Sequence, residues 1–427
     1  MVNSGLAEEC DKQAVIDAAA QYICPERVET FKMLGAVPVM ARREGCYFWD
    51  LDGRKLFDVH INGGVYNLGH RNKEVIETLK EAMDYYDIGN HHMVSTARTQ
   101  LAEKLIRLVP GDMQYCVFTT SGSEAVEVTL RSARKSTGRR KIVSFEGAYH
   151  GHGGMTLQAG YSEQATYFLS DHPEHEFVQI PFNDLNAVEQ ALKNGDVAAM
   201  LCEMIPATLG FPMPSPGYYQ DVKKLCKQYG TFFIADEVQT GLGRTGQFWA
   251  CEMYQIEPDM LITGKGLSGG IYPIAAAVMS SDAGSWLKED GWGYSSTCGG
   301  SELGCIVALK VLEIIEKPGV LENVGKVSDF LSNKLNELKN RHPFLVEIRQ
   351  NGLIIGLRFD DPNGAMLMTA YCYESGLWAF PAGFDRSVLQ FKLNILVSQT
   401  ECEEALSLLE TALTRLEEDL SKNKGNP

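Results

Sequence analysis

The 427-residue sequence lacks the features that mark membrane, secreted and nucleic-acid-binding proteins. No apolar run approaches the roughly 18 residues that a membrane-spanning helix needs, so we expect no membrane segment. The N-terminal stretch MVNSGLAEECDKQ has neither a secretory nor a mitochondrial signal pattern, and a cytoplasmic location is therefore expected. The net charge is −16, and no lysine- or arginine-rich patch interrupts it, which argues against nucleic acid as a partner.

Paired cysteines and nucleotide-binding loops are also missing. Eleven cysteines are scattered from Cys10 to Cys402 without a CxxC pair, as is typical of reduced thiols in a cytosolic protein. Residues 264–266 (GKG) are not a Walker A loop, because no Ser or Thr follows the lysine and no glycine lies five residues before the first glycine. Residues 241–246 (GLGRTG) match the dinucleotide fingerprint formally, but they begin too far beyond the preceding strand, which disfavours a nicotinamide site.

What the sequence does contain is an alternation of strand-like and helix-like segments between residues 115 and 279. Such alternation predicts an α/β fold, in which a mainly parallel sheet is covered by helices on both faces. A smaller α+β region follows it. We therefore expect three parts: an N-terminal segment (1–75) that packs with the small domain, a large domain (76–300), and the C-terminal small domain itself (301–427).

The two ends of the chain give more local expectations. Before residue 45, only the stretch from Lys12 to Tyr22 has a helical pattern, and an irregular segment is expected after it. Residues 46–59 predict a hairpin that turns at Asp52-Gly53, a dipeptide typical of tight turns. Near the C-terminus, residues 388–396 predict a strand.

An acid and an amine lie at the ends of two predicted strands of the large domain. Asp236 closes the apolar run 232–235, and Lys265 follows the apolar run 260–264. Ligands bind at the carboxyl ends of strands in such sheets, so a site is expected there, although a surface lysine and a capping aspartate are the plainer interpretation. A lysine that forms a Schiff base and an aspartate that protonates a pyridine nitrogen are what pyridoxal 5′-phosphate (PLP) requires. The sequence thus predicts PLP as cofactor.

A loop between a strand and a helix has the pattern of a phosphate site. Gly122 permits close approach of the backbone, Ser121 and Ser123 add hydroxyl groups, and the free N–H groups of the following helix would bind a phosphate dianion. A serine helix cap beside a glycine turn would give the same pattern. Its place in the strand order favours the phosphate interpretation.

The stretch 146–154 (EGAYHGHGG) follows the next predicted strand. A tyrosine here, Tyr149, is able to lie against the face of a cofactor ring, and the glycines let the backbone come near it. His150 and His152 suggest a metal site as the alternative. Zinc sites generally need three or four ligands and no third one is in view, so no metal is expected.

In combination, these motifs resemble the class III (ω-amino acid type) PLP-dependent aminotransferases over nearly the whole chain. Residues 121–125 look like the family's phosphate loop, 149–151 like its ring-stacking segment and 236–241 like its cofactor signature. The resemblance implies PLP fold type I, a large domain with a mainly parallel sheet of the seven-stranded type plus a smaller α+β domain. It implies PLP contacts for Ser121, Gly122, Ser123, Tyr149, His150, Glu203, Asp236, Val238, Gln239, Lys265 and Thr297.

Individual roles follow from the same resemblance. Lys265 would be the Schiff-base lysine and the carrier of the 1,3-proton, and Asp236 would bind the pyridine nitrogen. Val238 would pack on the ring and Gln239 would approach its phenolic oxygen. Thr297, in the segment 295–300 (SSTCGG), would reach the PLP phosphate of a partner subunit, so the protein is expected to be a homodimer or a larger homo-oligomer. Ser-Glu replaces the usual Asn-Pro after this segment.

The sequence departs from the family at a predicted substrate position. Many members carry an arginine that binds the substrate α-carboxylate, and here Gln390 stands at its place in the strand. Glu203, which pairs with that arginine in such relatives, then lacks its partner. Either the donor has no α-carboxylate in that orientation, or another cation replaces the missing guanidinium group, with Arg386 and Lys392 as the nearby candidates. Phe380, Trp378 and Phe384 are expected to line an aromatic pocket, with core packing as the alternative.

These observations predict an aminotransferase that moves an amino group from an amine or an ω- or β-amino acid to a 2-oxo acid, pyruvate or 2-oxoglutarate, by a ping-pong mechanism. One alternative is an aminomutase or racemase of the glutamate-semialdehyde aminomutase type, which shares most of the motifs and needs no second oxo acid. Another is a non-catalytic protein that binds PLP or NAD.

Overall fold

The structure is a computed structural model that describes residues 10–170, 173 and 175–424. Hydrophobic runs and alternating patterns in this part of the chain form fifteen strands. They are β1 (Met40–Glu44), β2 (Tyr47–Asp50), β3 (Lys55–Asp58), β4 (Met113–Thr119), β5 (Lys141–Phe145), β6 (Phe177–Ile180), β7 (Val197–Glu203), β8 (Phe232–Asp236), β9 (Met260–Thr263), β10 (Ala275–Ser280), β11 (Leu345–Asn351), β12 (Ile354–Phe359), β13 (Leu377–Trp378), β14 (Phe380–Pro381) and β15 (Val388–Lys392).

Helices connect and cover these strands. In the described residues they are α1 (Lys12–Tyr22), α2 (Pro25–Met33), α3 (Lys73–Met83), α4 (Thr96–Leu108), α5 (Gly122–Thr137), α6 (Gly154–Ala159), α7 (Ser162–Tyr167), α8 (Leu185–Leu192), α9 (Tyr218–Gln228), α10 (Ala250–Met253), α11 (Glu302–Ile315), α12 (Val320–Arg341), α13 (Gly364–Ser375) and α14 (Gln399–Lys424). Short 3₁₀ helices occur at Ile61–Gly64, Lys265–Ser268 and Ser285–Lys288. None of the described helices is both long and apolar enough to cross a bilayer.

A seven-stranded sheet forms the centre of the molecule, in the order β4-β10-β9-β8-β7-β5-β6. All neighbouring pairs are parallel except the two that involve β10, which runs antiparallel to both β4 and β9. The middle strands β7 and β9 are buried along their whole length, as expected for strands covered by helices on both faces. The predicted α/β fold with a mainly parallel seven-stranded sheet is confirmed.

Two smaller sheets flank this centre. One is the antiparallel sheet β11-β12-β15-β14, which packs with helices α12, α13 and α14 as a smaller α+β unit. The other begins with the antiparallel strands β1, β2 and β3 and ends with β13, which pairs in parallel with β3 through Leu377 and Phe57. The N-terminal hairpin and the C-terminal part of the chain therefore share a sheet. The boundaries at residues 75 and 300 stay a prediction.

Two local expectations are wrong. The segment after α1 is not irregular, because it contains helix α2 and strand β1, which pairs with β2. No residue of α2 is buried and β1 is mostly exposed, so neither carries a clear apolar pattern. The strand predicted at residues 388–396 ends at Lys392, where its pairing with β12 stops at Ile354.

Candidate active site

The carboxyl ends of the central strands bring the predicted acid and amine to one edge of the sheet. Glu203 and Asp236 are the last residues of β7 and β8, and they are directly paired in the ladder. Both residues are buried. Lys265 begins the 3₁₀ helix that follows β9, two residues after that strand ends. Parallel strands thus collect side chains that are distant in sequence.

His150 holds the Asp236 carboxylate. Its ring nitrogen Nδ1 lies 2.7 Å from Asp236 Oδ2, and the backbone N–H of Val238 donates to Oδ1 over 3.2 Å. The second ring nitrogen of His150, Nε2, is buried and has no partner among the described residues. A buried carboxylate is tolerable only with such partners, so this arrangement keeps Asp236 oriented toward one side of the site.

Lys265 is prepared as a nucleophile. Burial lowers the pKa of its amine, whereas Asp236 and Glu203 oppose that change by favouring the charged form. Its Nζ atom donates to Gln239 Oε1 over 3.3 Å. The backbone of Lys265 has a φ angle of 42°, in the left-handed region that residues with a side chain rarely adopt. Strain of this kind concentrates at functional sites, and a lowered pKa exposes the lone pair that attack on a carbonyl needs.

Glu203 accepts backbone hydrogen bonds where the family resemblance pairs this residue with an arginine. The N–H groups of Tyr149 and Ala207 donate to its carboxyl group over 2.8 and 3.2 Å. Burial raises the pKa of Glu203, while His150 acts in the opposite sense and Asp236 adds to the increase. In the described part of the chain, no arginine forms a salt bridge with this carboxyl group, which is a weak acid fixed by the loop after β5.

The predicted phosphate loop forms the N-terminus of α5. The Ser121 side chain caps this helix by accepting from the Glu124 N–H over 3.2 Å. Gly122 packs so closely on Val238 that an added Cβ atom would lie 3.0 Å from its Cγ1. Ser123 Oγ accepts from the Gly153 N–H over 2.9 Å, which ties the loop after β5 to the helix start. The plainer interpretation, a capping serine, is thus true of Ser121, and the helix N-terminus still offers N–H groups to an anion.

These residues fit PLP on two independent grounds. The site contains buried polar atoms without partners in the described chain, His150 Nε2 and Gln239 Nε2, which a polar ligand would satisfy. It also combines an amine with a lowered pKa, an oriented carboxylate and a helix N-terminus at one sheet edge. No group of three or more metal-ligating side chains comes together in the part of the chain that the structure describes.

Two predicted residues lie apart from this cluster. Thr297 is exposed and makes no hydrogen bond with the residues that the structure describes. Arg386 is also exposed, and its backbone carbonyl accepts from the Ala365 N–H. Gln390 is buried on β15, where its side chain donates to the Pro381 carbonyl over 3.3 Å and accepts from Lys392.

The aromatic residues near the C-terminus divide between two groups of rings. Trp378 and Phe380 pack with Phe31 of α2, at centroid distances of 6.2 and 5.8 Å, and Phe380 also contacts His60 at 5.7 Å. Phe384 instead stacks on Tyr161 at 4.5 Å, and Tyr161 contacts Tyr149 at 5.9 Å. Sequence reasoning did not include Phe31, His60 and Tyr161. The first two lie in the N-terminal segment, and nothing local in the sequence connects them with the C-terminal strands.

Comparisons with known proteins agree with the motifs. The sequence pattern of the class-III aminotransferases matches residues 33–413. An uncharacterized aminotransferase from Archaeoglobus fulgidus is 46% identical over 392 residues, 92% of each chain, and a probable 4-aminobutyrate aminotransferase from Bacillus subtilis is 31% identical over 404 residues, 87% of this chain and 91% of its own. The taurine:2-oxoglutarate aminotransferase of Bifidobacterium kashiwanohense, solved with PLP and glutamate, superposes with a TM-score of 0.85 at 25% identity, covering 97% of this chain and all of its own.

Proposed function

The chain belongs to the class-III aminotransferases, which use PLP, and from this premise we propose that it moves an amino group from an amine or an ω- or β-amino acid to pyruvate or 2-oxoglutarate by a ping-pong mechanism. The main observation in support of the proposal is that Lys265 and Asp236 lie together at the carboxyl edge of the central sheet. The amine has a lowered pKa, and the carboxylate is oriented by His150.

Different residues of the site would bind different parts of the cofactor. The N–H groups at Ser121, Gly122 and Ser123 would bind the phosphate at the start of α5. Val238 and Tyr149 would pack on the pyridine ring. Gln239 would donate to the phenolic oxygen through Nε2, the atom that has no other partner in the described chain.

In the proposed reaction, the side chains of the protein hold or move protons. When bound, PLP supplies an electron sink for the carbon next to the substrate nitrogen. Asp236 would keep a proton on the pyridine nitrogen, and His150 would keep Asp236 in place. Lys265 Nζ would take the proton from the substrate carbon and return it at the other end of the C–N unit, acting as general base and then as general acid.

The proposed donor class rests on Gln390. A glutamine side chain cannot form the two parallel charged hydrogen bonds by which an arginine fork holds an α-carboxylate, so a donor whose amino-bearing carbon has no carboxylate suits this strand better. The names of two relatives point the same way, because 4-aminobutyrate and taurine both carry the amino group on such a carbon. Glu203, Gln390 and Arg386 remain the proposed substrate contacts.

A homodimer or larger homo-oligomer is part of the proposal, with Thr297 contacting the cofactor phosphate of a partner subunit. Its support is a set of exposed apolar residues that includes Trp292, five residues before Thr297. The exposed apolar residues of the segment 85–94 meet Trp292 there, through a His92–Trp292 ring contact of 5.3 Å. A patch of this kind on a protein surface marks an interaction site.

The cysteines bear on the compartment in which the enzyme works. The ten cysteines from Cys24 to Cys402 are free, and seven of them are buried. Because disulfides are the rule in oxidising compartments, free cysteines in this number support the cytoplasmic location that we include in the proposal.

Replacement of the lysine tests the assignment. We expect Lys265→Ala to remove the visible absorption of the bound cofactor and to lower turnover at least about 10³-fold, because it deletes both the nucleophile and the proton carrier. The exposed Lys326 provides a matched control as Lys326→Ala. A Lys265→Ala protein with normal turnover would refute the proposal.

A second measurement addresses the ping-pong mechanism and the aminomutase alternative. In a ping-pong reaction, the enzyme mixed with donor alone releases one equivalent of oxo product per site, and further turnover waits for the 2-oxo acid. Continuous turnover of a donor without any oxo acid would indicate a mutase or racemase instead.

A further inference from the structure

A fully buried lysine lies beside the candidate active site and has no role in the cofactor chemistry. Lys392 is the last residue of β15, and its solvent exposure is 0%. Side chains alternate along a strand, so Lys392 shares a face with Gln390, while Phe391 points into the core on the other side. The Lys392 amine donates to Gln390 Oε1.

The Lys392 ammonium group has fewer partners than it can use. It carries three donors, and Gln390 is its only hydrogen-bond acceptor among the described side chains. Asp58, the one carboxylate that favours its charge, is already engaged by the backbone N–H of Ile61 at 2.7 Å and by His70 Nε2 at 2.9 Å. Lysine is almost never fully buried without a partner, so this position is one that an anion would complete.

Most of the charges around Lys392 are positive, and Asp58 is the exception. Burial and the positive charges of Lys265 and Arg244 lower the pKa of its amine. Burial, Lys392 and Lys265 together lower the pKa of His60. The region between β15 and the Lys265 edge thus holds several nitrogen groups and no free carboxylate in the described residues.

The surrounding walls are apolar and close. The Phe211 ring centroid lies 5.5 Å from Lys392 Nζ, and Phe211 belongs to the loop between β7 and α9. This loop presses on β15, because a Cβ atom added at Gly210 would lie 2.8 Å from Val388. A charged ligand in such a place gains more from one cation than it would in water, since the surroundings do not screen the charge.

We propose that Lys392 and Gln390 together form a carboxylate-binding site for the substrates, in which the ammonium group supplies the charge and the glutamine amide fixes its position. This inference rests on the proposed aminotransferase function and assigns a substrate class to it: compounds that carry a carboxylate. The proposed site differs from the family's arginine site. Here the cation is Lys392, which lies two residues after Gln390 on the same face of the strand.

Two variants and two small probes test the site in the PLP-bound enzyme. Lys392→Met keeps the length of the side chain without its charge, and an apolar residue that replaces a buried charge is readily accommodated. Gln390→Glu keeps the lysine but neutralises it with an internal carboxylate. Calorimetric titration compares propionate with uncharged propionamide, and Lys326→Met is the surface control.

We expect both variants to bind propionate roughly tenfold to a hundredfold more weakly than wild type, because each removes a charged hydrogen bond. Propionamide binding and the surface control should not change. Variants that bind propionate as tightly as wild type, or that lose propionate and propionamide equally, would overturn the inference.

Half-reactions then show which substrate brings the carboxylate. The rate with 4-aminobutyrate divided by that with butylamine reports a distal donor carboxylate, and pyruvate compared with propanal reports the carboxylate of the acceptor. Lys392→Met should lower at least one of these ratios roughly tenfold or more while the reaction of butylamine persists. Unchanged ratios contradict the site, whereas absence of any half-reaction in wild type would contradict the aminotransferase function itself.

Discussion

Glu237 is a buried carboxylic acid in the middle of the segment that carries Asp236, Val238 and Gln239. Its side chain accepts from Thr240 Oγ1 over 2.5 Å and from the Cys251 N–H over 2.7 Å, so it fixes the turn after β8. Burial raises the pKa of Glu237 to about 7, and these hydrogen bonds act in the opposite sense. Below about pH 7 this group is mainly neutral and adds little negative charge beside Asp236.

The raised pKa predicts a pH dependence of stability. A carboxyl group whose folded pKa is above its unfolded value of 4.5 adds stability below pH 4.5, and this stability is lost as pH rises toward about 7. The loss is on the order of 3 kcal/mol. Glu237→Gln, which stays neutral, should remove this part of the pH dependence.

Thermal or urea unfolding of the PLP-bound proteins between pH 4.5 and pH 7 measures this effect. The unfolding free energy of wild type should fall relative to that of Glu237→Gln across this range. Glu103→Gln, at an exposed glutamate of α4, should follow wild type. A constant difference between wild type and Glu237→Gln over the whole range would contradict the buried neutral acid.

At the scale of single residues, the sequence predicted which residues lie at the ends of strands, but it did not predict their contacts. Asp236 and Lys265 could be predicted because each follows an apolar run that becomes a buried strand. The His150–Asp236 contact and the position of Lys392 near Lys265 could not, because they depend on packing between segments far apart in the chain. The roles of the PLP-contact residues stay predictions.

At the scale of secondary-structure elements, the loop after β5 packs tightly against the first turn of α5. Gly151 has a φ angle of 115°, and a Cβ atom added there would lie 2.6 Å from Ser123 Cβ and 2.8 Å from Ser123 Cα. Those atoms belong to the proposed phosphate loop. A change at one element should therefore move the other.

We expect Gly151→Ala to weaken PLP binding roughly tenfold or more, because displacing the helix start misaligns N–H groups that make charged hydrogen bonds. Gly138→Ala is the matched control. It lies at the other end of α5, its φ angle of 68° is also positive, and no atom lies within 4 Å of its added Cβ. Titration of the apoprotein with PLP measures both. Equal affinities in the two variants would show that strain alone, not the contact with Ser123, is responsible.

Elements with a strong apolar pattern could be predicted from the sequence, whereas elements stabilised mainly by contacts with other segments could not. Helix α4 buries Ala97, Leu101 and Leu105 on one face, a spacing that is visible in the sequence, and the Ser95 side chain caps it. Helix α2 buries none of its own residues, so no apolar pattern marks it, and β13 and β14 have two residues each, so their conformations depend on the sheets that they join. Even so, α2 contributes Phe31 to the rings around Phe380.

For the whole molecule, the alternation of strands and helices predicted the sheet but not its order. Strand β10 inserts between β4 and β9 and reverses direction, which no local pattern indicates. The pairing of β3 with β13 joins segments more than 300 residues apart. One feature that a single chain does not explain is a set of exposed apolar residues, including Trp292, which precedes Thr297 by five residues. Tyr85, Val94 and Trp292 leave 85, 95 and 70% of their surface exposed, a cost that a second subunit would remove.

If Thr297 acts across a dimer interface, two defective variants should repair each other. Each active site would combine Lys265 of one subunit with Thr297 of the other, so a mixed dimer of Lys265→Ala and Thr297→Val contains one intact site and one doubly defective site. Random 1:1 mixing during refolding should restore about a quarter of the wild-type sites, measured as turnover at limiting PLP, where each variant alone is impaired. Light scattering verifies the dimer, and mixing two samples of the same variant is the control. No gain on mixing would place Thr297 in the active site of its own chain or in none, because a contact within one subunit leaves every mixed site with a missing residue.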